Sequence, residues 1–192
     1  MALRDASIVW KIIICIQVAA LIVCLVGFGT NYLVYFENRV GSIHGGLWEI
    51  YSNDKTVETD DYLELADLSS EWLEASKTMM SLSVGLHIIS TALTVGSAFI
   101  TTSPMVSWAL AVGEFASAIS GLIGCSVAVA KIKSVLEDAT QVTFSIGYSF
   151  ILFLITQFVF AGCGLLLLLD ARLKITGRPQ NTAPAAKIAT IF

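Results

Sequence analysis

The chain has 192 residues, of which 56% are hydrophobic and 14% are charged, against about 25% charged residues in soluble domains. This composition excludes an ordinary soluble protein and predicts one membrane domain, residues 1–192. The formal net charge of −4 is sorted along the sequence. Residues 31–75 carry ten acids and two bases, whereas residues 171–192 carry four bases and no acid.

Four apolar segments are long enough to cross a bilayer as helices, which requires about 20 apolar residues. They are residues 8–29, 79–100, 108–130 and 144–169. The alternative for the first segment is a cleaved signal peptide, but its apolar run is long for one and no Ala-x-Ala cleavage site follows it. Two of the three connectors are short, so consecutive helices are expected to be antiparallel neighbours in a four-transmembrane-helix bundle. The predicted fold class is an all-α membrane protein.

Basic residues near the ends of the spans predict the orientation, because cytoplasmic loops are enriched in Lys and Arg. Arg4 and Lys11 lie at the start of the chain, and the tail, residues 171–192, is basic. Both termini are therefore expected in the cytoplasm, and the acidic loop, residues 31–75, outside the plasma membrane. Two lysines after the third span oppose this orientation.

The long first loop predicts a small extracellular β-sheet and one short helix. The β-branched and aromatic segments 32–36 and 47–51 predict two short strands, and the acidic segment 54–61 predicts a polar loop. Leu65 and Trp72 belong to an apolar pattern with helical spacing. This pattern predicts an amphipathic helix that runs into the second span.

Within this loop, Gly46-Leu47-Trp48 resembles the signature of the claudin-like superfamily. The superfamily includes the claudins of tight junctions, the peripheral myelin protein group and the γ subunits of calcium channels and AMPA receptors. The likeness in architecture covers nearly the whole chain, whereas the motif covers a few residues. It implies a structural anchor made by Gly46, Leu47 and Trp48, with Trp48 capping the bundle and Lys77 at the family's Arg position.

The chain departs from the family pattern at Tyr51, which stands where the first of two bonded cysteines is expected. All four cysteines of the chain fall within or at the edges of the apolar segments, so the loop contains none. A loop disulfide would stabilise the sheet by about 2–4 kcal/mol. Without it, aromatic packing is expected to hold the sheet together, with the following residues: Trp48, Tyr51, Tyr62 and Trp72.

The resemblance implies a non-enzymatic protein of cell–cell junctions that makes contacts through its acidic first loop. The alternative is an auxiliary, γ-type subunit that packs laterally on an ion channel or receptor and modulates it. In claudins, acidic residues of the first loop line cation-selective paracellular pores. The corresponding cation-attracting candidates are Asp54, Glu58, Asp60 and Asp61, and a solvated acidic face is the other interpretation.

The third span contains small residues at every fourth position, Gly113, Ser117 and Gly121, which predict a close helix contact inside the bundle or against a partner. Glu114 lies in the same span, where an ionised carboxylate is costly unless it is paired. Counting from the connector places His87 about 9 Å away in height and predicts no direct bond. Hydrogen bonds from Ser or Thr are expected instead. Ion conduction through Glu114 is a third, weaker hypothesis.

The last three residues, Thr190, Ile191 and Phe192, fit a class I PDZ ligand, although so short a pattern also arises by chance. No Gly-rich phosphate loop follows a strand, and no Cys/His pair has the spacing of metal ligands. We therefore expect no enzyme activity, no metal and no cofactor. The expected partners are the lipid bilayer, a membrane protein (a second copy, a channel or a receptor) and a PDZ scaffold, but not nucleic acid.

Overall fold

The computed structural model describes residues 8–37, 41–52, 55–65, 71–99 and 103–176. The helices in these ranges are α1 (Ile8–Gly29), α2 (Thr59–Leu65), α3 (Glu71–Ser97), α4 (Pro104–Thr140) and α5 (Tyr148–Thr176). The strands are β1 (Val34–Glu37), β2 (Ser42–Gly45), β3 (Glu49–Ser52), β4 (Lys55–Glu58) and β5 (Ser145–Ile146). The predicted four-helix bundle with a small sheet is confirmed.

Helices α1, α3, α4 and α5 are long and apolar enough to cross a membrane, which makes the chain a multi-pass membrane protein. Their outward surfaces are apolar: Ile22, Leu93 and Phe158 are each more than half exposed. Polar side chains such as Gln17 and Glu114 are instead fully buried between the helices. This distribution suits helices surrounded by hydrocarbon, where an exposed apolar side chain carries no penalty.

The ends of the second and third spans differ from the prediction. Helix α3 begins at Glu71 and ends at Ser97, and α4 already begins at Pro104. Proline suits the first helical turn, where its missing N–H would have had no intrahelical partner. The amphipathic segment expected before the second span is divided between α2 and the first turns of α3, and residues 66–70 between them lie outside the described ranges.

The C-terminal part of α4 extends beyond the predicted third span. Lys131 and Lys133, expected to close the third span, lie inside a helix that continues to Thr140. This extension is supported by protein rather than lipid, because Ile132 and Leu136 are buried against Gly45 of β2. The extension therefore holds up the sheet. We call this end of the bundle the sheet end.

The sheet is antiparallel, with the strand order β4-β3-β2-β1-β5. The predicted strands 32–36 and 47–51 correspond to β1 and β3 with shifted ends. The segment 54–61, expected to be a loop, instead contains β4 and the start of α2. Strand β4 lies at an edge of the sheet, and all four of its residues are exposed. Since none of its side chains has to be buried, the segment does not need the alternation of apolar and polar residues by which a strand is predicted.

The connector between α4 and α5 supplies β5, which pairs with β1 through Val34↔Ile146 and Tyr35↔Ser145. Immediately after β5, Gly147 packs so tightly on the Tyr32 carbonyl that no Cβ fits there. The Gly147 N–H donates to the carbonyl of Leu33 at 2.8 Å. The two loops at the sheet end thus form one folded unit, joined to the last turn of α1 and the first turn of α5.

Candidate functional site

The Gly46-Leu47-Trp48 motif forms the turn between β2 and β3. A Cβ at Gly46 would lie 2.6 Å from the Cα of Asn31, so only glycine fits. Leu47 is 1% exposed, whereas Trp48 is 36% exposed and donates its Nε1–H to the Phe28 carbonyl, 3.3 Å away. The structure differs here from the expected cap: Leu47 is the buried anchor, and Trp48 fastens the turn to α1. The indole N–H requires an acceptor, which the end of a helix offers.

Lys77 lies beside the same turn, on the first turns of α3. Its Nζ forms a salt bridge with Asp60 of α2 and lies 5.4 Å from the centre of the Trp48 ring. The position that the resemblance assigns to the family's Arg therefore connects α3, α2 and the motif. A partly exposed ion pair of this kind contributes about 1 kcal/mol or less. Lys77 thus orients these elements more than it stabilises them.

Three of the four cation-attracting candidates lie in the described residues, and one of these three is already paired. Asp60 is already paired with Lys77. Glu58 lies exposed on β4, and Asp61 lies exposed in the first turn of α2. Asp54 lies outside the described residues. Among the described candidates, Asp60 is therefore used in an ion pair, while Glu58 and Asp61 are exposed.

The face of the sheet that points away from the α4 extension carries a row of aromatic residues that the sequence analysis missed. Tyr35, His44 and Tyr51 are paired across β1, β2 and β3. Tyr32 packs its ring on His44 at 4.1 Å between ring centres and on Tyr148 at 4.8 Å. We call this surface the tyrosine face. The alternation of side chains along β1 is the sequence signal that could have revealed this surface, because every second side chain of a strand points to the same face.

Carboxylates flank the tyrosine face. Glu37 lies next to Tyr35 along the strand direction, and Glu49 and Glu58 are directly paired between β3 and β4. Like charges opposite each other destabilise a sheet pair. Glu49 is stabilised here by the Asn31 side-chain amide, which donates to Glu49 Oε2 at 2.8 Å. Its cross-strand partner Glu58 stays exposed, so this end of the tyrosine face is negative.

His44 is the most buried member of the tyrosine face, at 8% exposure. Its Nε2 is 3.0 Å from the Tyr32 hydroxyl, while its Nδ1 has no hydrogen-bond partner among the described residues. Burial lowers the pKa of the His44 imidazole below its ordinary value of 6.5, and the nearby Glu37 carboxylate opposes this shift. Near pH 7 the ring is therefore neutral, and its Nδ1 is buried without a hydrogen-bond partner among the described residues.

The small residues of the third span have different surroundings. Ser117 is buried and donates to the Ser83 carbonyl of α3 at 2.7 Å. A Cβ at Gly121 would lie 2.5 Å from Gln157 Oε1 of α5, so this glycine allows a close helix approach. Gly113 has open space beside it. Two of the three positions are thus used inside the bundle, and only Gly113 is left at a surface.

Glu114 lies at the centre of the bundle and is 0% exposed. Its Oε1 accepts from Gln17 Nε2 at 2.7 Å and from Ser90 Oγ at 2.6 Å. Its Oε2 is 3.1 Å from His87 Nδ1, and His87 Nε2 is 3.0 Å from Gln157 Oε1. We call these five residues the buried polar network. It takes side chains from all four spanning helices.

The expectation that Glu114 and His87 do not touch is wrong. His87 precedes the end of α3 at Ser97 by ten residues, and Glu114 follows the start of α4 at Pro104 by ten residues. The two side chains therefore lie at the same depth. The helices do not end where the apolar segments end on either side of the connector, so the limits of those segments place the two residues at different heights.

The hydrogen bonds define what the network does chemically. Gln157 Oε1 is an acceptor, so the hydrogen bond at His87 Nε2 uses a hydrogen on that nitrogen. The other ring nitrogen, Nδ1, lies at hydrogen-bond distance from Glu114 Oε2. The Phe160 ring stacks on His87 at 3.6 Å between centres and closes one side. The network therefore provides polar partners for both oxygens of a buried carboxyl group.

The proposed PDZ ligand, Thr190, Ile191 and Phe192, lies outside the described residues. Among the residues that the structure describes, no group of three or more His, Cys, Asp or Glu side chains is arranged to hold a metal ion.

Comparison with known proteins finds no matching family model and no matching curated protein. Function is therefore inferred from the residues of this chain and their geometry.

Proposed function

We propose that this chain is a non-enzymatic, claudin-like tetraspan protein of the plasma membrane that makes cell–cell junction contacts through its sheet. The observation that carries the proposal is the sheet itself, to which both loops at the sheet end contribute. Its inner face is fixed by the α4 extension, and its other face and one edge are available to a partner. A small rigid sheet above a bundle is suited to contact rather than to chemistry.

Two parts of the sheet offer different kinds of contact. Among the described strands, β4 is paired only with β3, and an exposed edge of this kind can pair with a strand of another chain. The tyrosine face adds tyrosine rings, which are enriched in protein interfaces. The carboxylates beside it, Glu37, Glu49 and Glu58, favour a partner surface that is positively charged.

The orientation belongs to the same proposal. The tail carries four bases and no acid after residue 171, which favours cytoplasmic termini and an outer position for the sheet. In that orientation Thr190, Ile191 and Phe192 are available to a cytoplasmic PDZ scaffold. Such a scaffold would hold the protein at sites of cell contact.

Freeze-fracture electron microscopy of cells that lack junction strands tests the proposal. Cells that express the full chain are expected to form intramembrane strands or particle rows where two expressing cells meet. A variant with Thr56→Pro, which removes a backbone donor from the free edge of β4, provides the matched comparison. Surface-expressed protein that remains evenly dispersed at these contacts would contradict the junction function.

A lateral role as an auxiliary subunit is the second candidate, and one observation favours it. An apolar groove of about 470 Å³ opens between α3 and α4, and its lining includes Leu86, Leu93, Gly96, Leu110 and Gly113. Small residues in such a groove let a second helix approach closely. A helix of a channel or receptor fits this description.

Co-purification distinguishes the two functions. After mild detergent extraction from native membranes, an auxiliary subunit is expected to retain a channel or receptor at a fixed stoichiometry. Gly113→Leu would block the groove and reduce that stoichiometry, while Gly162→Leu, at another open glycine on α5, is the control. A chain recovered only with copies of itself would argue against the subunit role.

A further inference from the structure

A cavity of about 410 Å³ lies on the tyrosine face, beside the place where α1 and α5 reach the sheet. Its lining includes four aromatic rings, from Tyr32, Tyr35, His44 and Tyr148. A neighbouring cavity of about 550 Å³ shares three of these rings and adds Tyr51. Both volumes lie within the range of about 300–1,000 Å³ typical of small-ligand sites.

The charge of these cavities favours a cation. Glu37 lines the first cavity and Glu49 lines the second, and neither lining includes Lys or Arg among the described residues. Aromatic rings attract a cation through their negative faces, and a desolvated cation gains more from them than an exposed one. Several rings beside one carboxylate suit a quaternary ammonium group, whose methyl groups pack on rings while its charge faces the carboxylate.

The position of the first cavity indicates where such a cation comes from. Ile151, which also lines the cavity, is 48% exposed and belongs to the spanning part of α5. The cavity therefore has an apolar border at the first turn of the spanning helix α5 and is also lined by Glu37. A phospholipid matches this arrangement, since its acyl chains can pack on Ile151 while its charged headgroup lies near Glu37.

Polar groups are also present for the phosphate of such a headgroup. The Ser42 hydroxyl lines both cavities. His44 Nδ1 is buried without a partner among the described residues, and it becomes a donor when the Tyr32 hydroxyl donates to Nε2. A buried donor without a partner is costly, so a phosphate oxygen that accepts from it would be stabilising.

We propose that the tyrosine face binds the choline headgroup of a phospholipid in the leaflet on the sheet side. The ammonium group lies among the Tyr35 and Tyr148 rings near Glu37, the phosphate lies near Ser42 and His44, and an acyl chain follows Ile151. The site occupies part of the tyrosine face that the junction proposal also uses. It requires neither a second copy of the chain nor a particular orientation, so its test does not depend on the junction function.

Native mass spectrometry of the purified full chain tests the proposal with three phospholipids that share the same acyl chains. Phosphatidylcholine is expected to be retained about tenfold better than phosphatidylglycerol, which has no cation, and better than phosphatidylethanolamine, which has no methyl groups on nitrogen. Glu37→Gln and Tyr148→Leu are each expected to weaken phosphatidylcholine binding about tenfold. Equal retention of the three lipids would overturn the proposal.

Matched controls separate the site from general lipid contact. Glu64→Gln changes an exposed carboxylate on α2, and Phe158→Leu changes a lipid-facing ring elsewhere on α5. Both are expected to leave phosphatidylcholine retention unchanged, and Glu37→Gln is expected to keep the melting temperature of the parent chain. Soluble phosphocholine should bind at least about a hundredfold more weakly than the lipid, because it lacks the chains that pack on Ile151. Equal loss in controls and site variants, or equally strong binding of soluble phosphocholine, would contradict a lipid site.

Discussion

Glu114 shows, at the scale of single residues, how a carboxylate is accommodated in the middle of a membrane bundle. An unpaired charge at this depth costs several kcal/mol, which is why such residues face the bundle interior. Gln17, Ser90 and His87 all contact the carboxylate, so both of its oxygens have partners. The arrangement gives Glu114 a structural role that needs no ion pathway.

Replacing Glu114 with alanine is therefore expected to destabilise the chain strongly. The change leaves the Gln17 amide, the Ser90 hydroxyl and the His87 imidazole without their acceptor, and breaking a buried pair costs about 3–5 kcal/mol. Unfolding of the purified protein in detergent measures this loss. Glu64→Ala, at an exposed carboxylate, should change stability by less than about 0.5 kcal/mol. Similar stabilities for the two variants would show that the network does not hold the bundle together.

His44 gives a pH dependence with a definite sign. Its pKa is lowered by burial, with Glu37 opposing, and its ring contacts are Tyr32 and Tyr51. The unfolded chain therefore binds a proton at a higher pH than the folded chain. The stability that the neutral His44 ring contributes is fully present above about pH 6.5. It is lost as the pH falls below the pKa of His44 in the unfolded chain and toward its lower pKa in the folded chain.

Melting temperatures between pH 7.5 and pH 5 measure this effect. The parent chain is expected to lose stability on acidification, whereas His44→Gln should remove part of that dependence while lowering stability near neutral pH. His87 is present in both proteins, so it cancels in the comparison. An unchanged pH dependence in His44→Gln would contradict the assignment.

Single residues also mark where sequence reasoning reached its limit. The Gly46-Leu47-Trp48 motif lies in a turn at the sheet end, but which of its side chains is buried depends on the position of α1. The contact between His87 and Glu114 depends on the helix ends, which hydropathy locates only within a few residues. A contact between side chains of two helices can be predicted only when the ends of both helices are known.

At the scale of elements, the long helices were predictable because lipid demands about 20 apolar residues from each of them. Strand β4 was not, because all its side chains are exposed, and the two residues of β5 form a strand only by pairing with β1. The α4 extension was missed for a related reason. Its support comes from the sheet, which the local sequence does not show.

The contact of α4 with α5 at Gly121 gives a prediction at this scale. Gly121→Ala places a methyl group against Gln157 and Ser83 and should cost about 1–3 kcal/mol through overpacking. Gly162→Ala, where nothing lies near the new methyl group, should be neutral or slightly stabilising because alanine favours helix. Thermal unfolding of the two variants in the same detergent provides the comparison. Equal melting temperatures would mean that α4 and α5 do not approach as closely as described.

At the scale of the whole molecule, four spanning helices carry one sheet that is assembled from two loops and supported by the α4 extension. Most polar chemistry in the spans is used to hold the helices to each other, as in the buried polar network. The sheet, by contrast, presents an aromatic and acidic surface and an unpaired edge. This division, with a stabilised bundle and an available sheet, is the basis of the junction proposal.

Mixed culture of two differently labelled cell populations tests that proposal most directly. The full chain, tagged at its amino terminus, is expressed in both populations or in one of them, in cells without their own junction strands. The account predicts enrichment of the protein at borders between two expressing cells, and none at borders where only one cell expresses it. Equal density at both kinds of border, with the protein shown to be on the cell surface, would contradict the contact function.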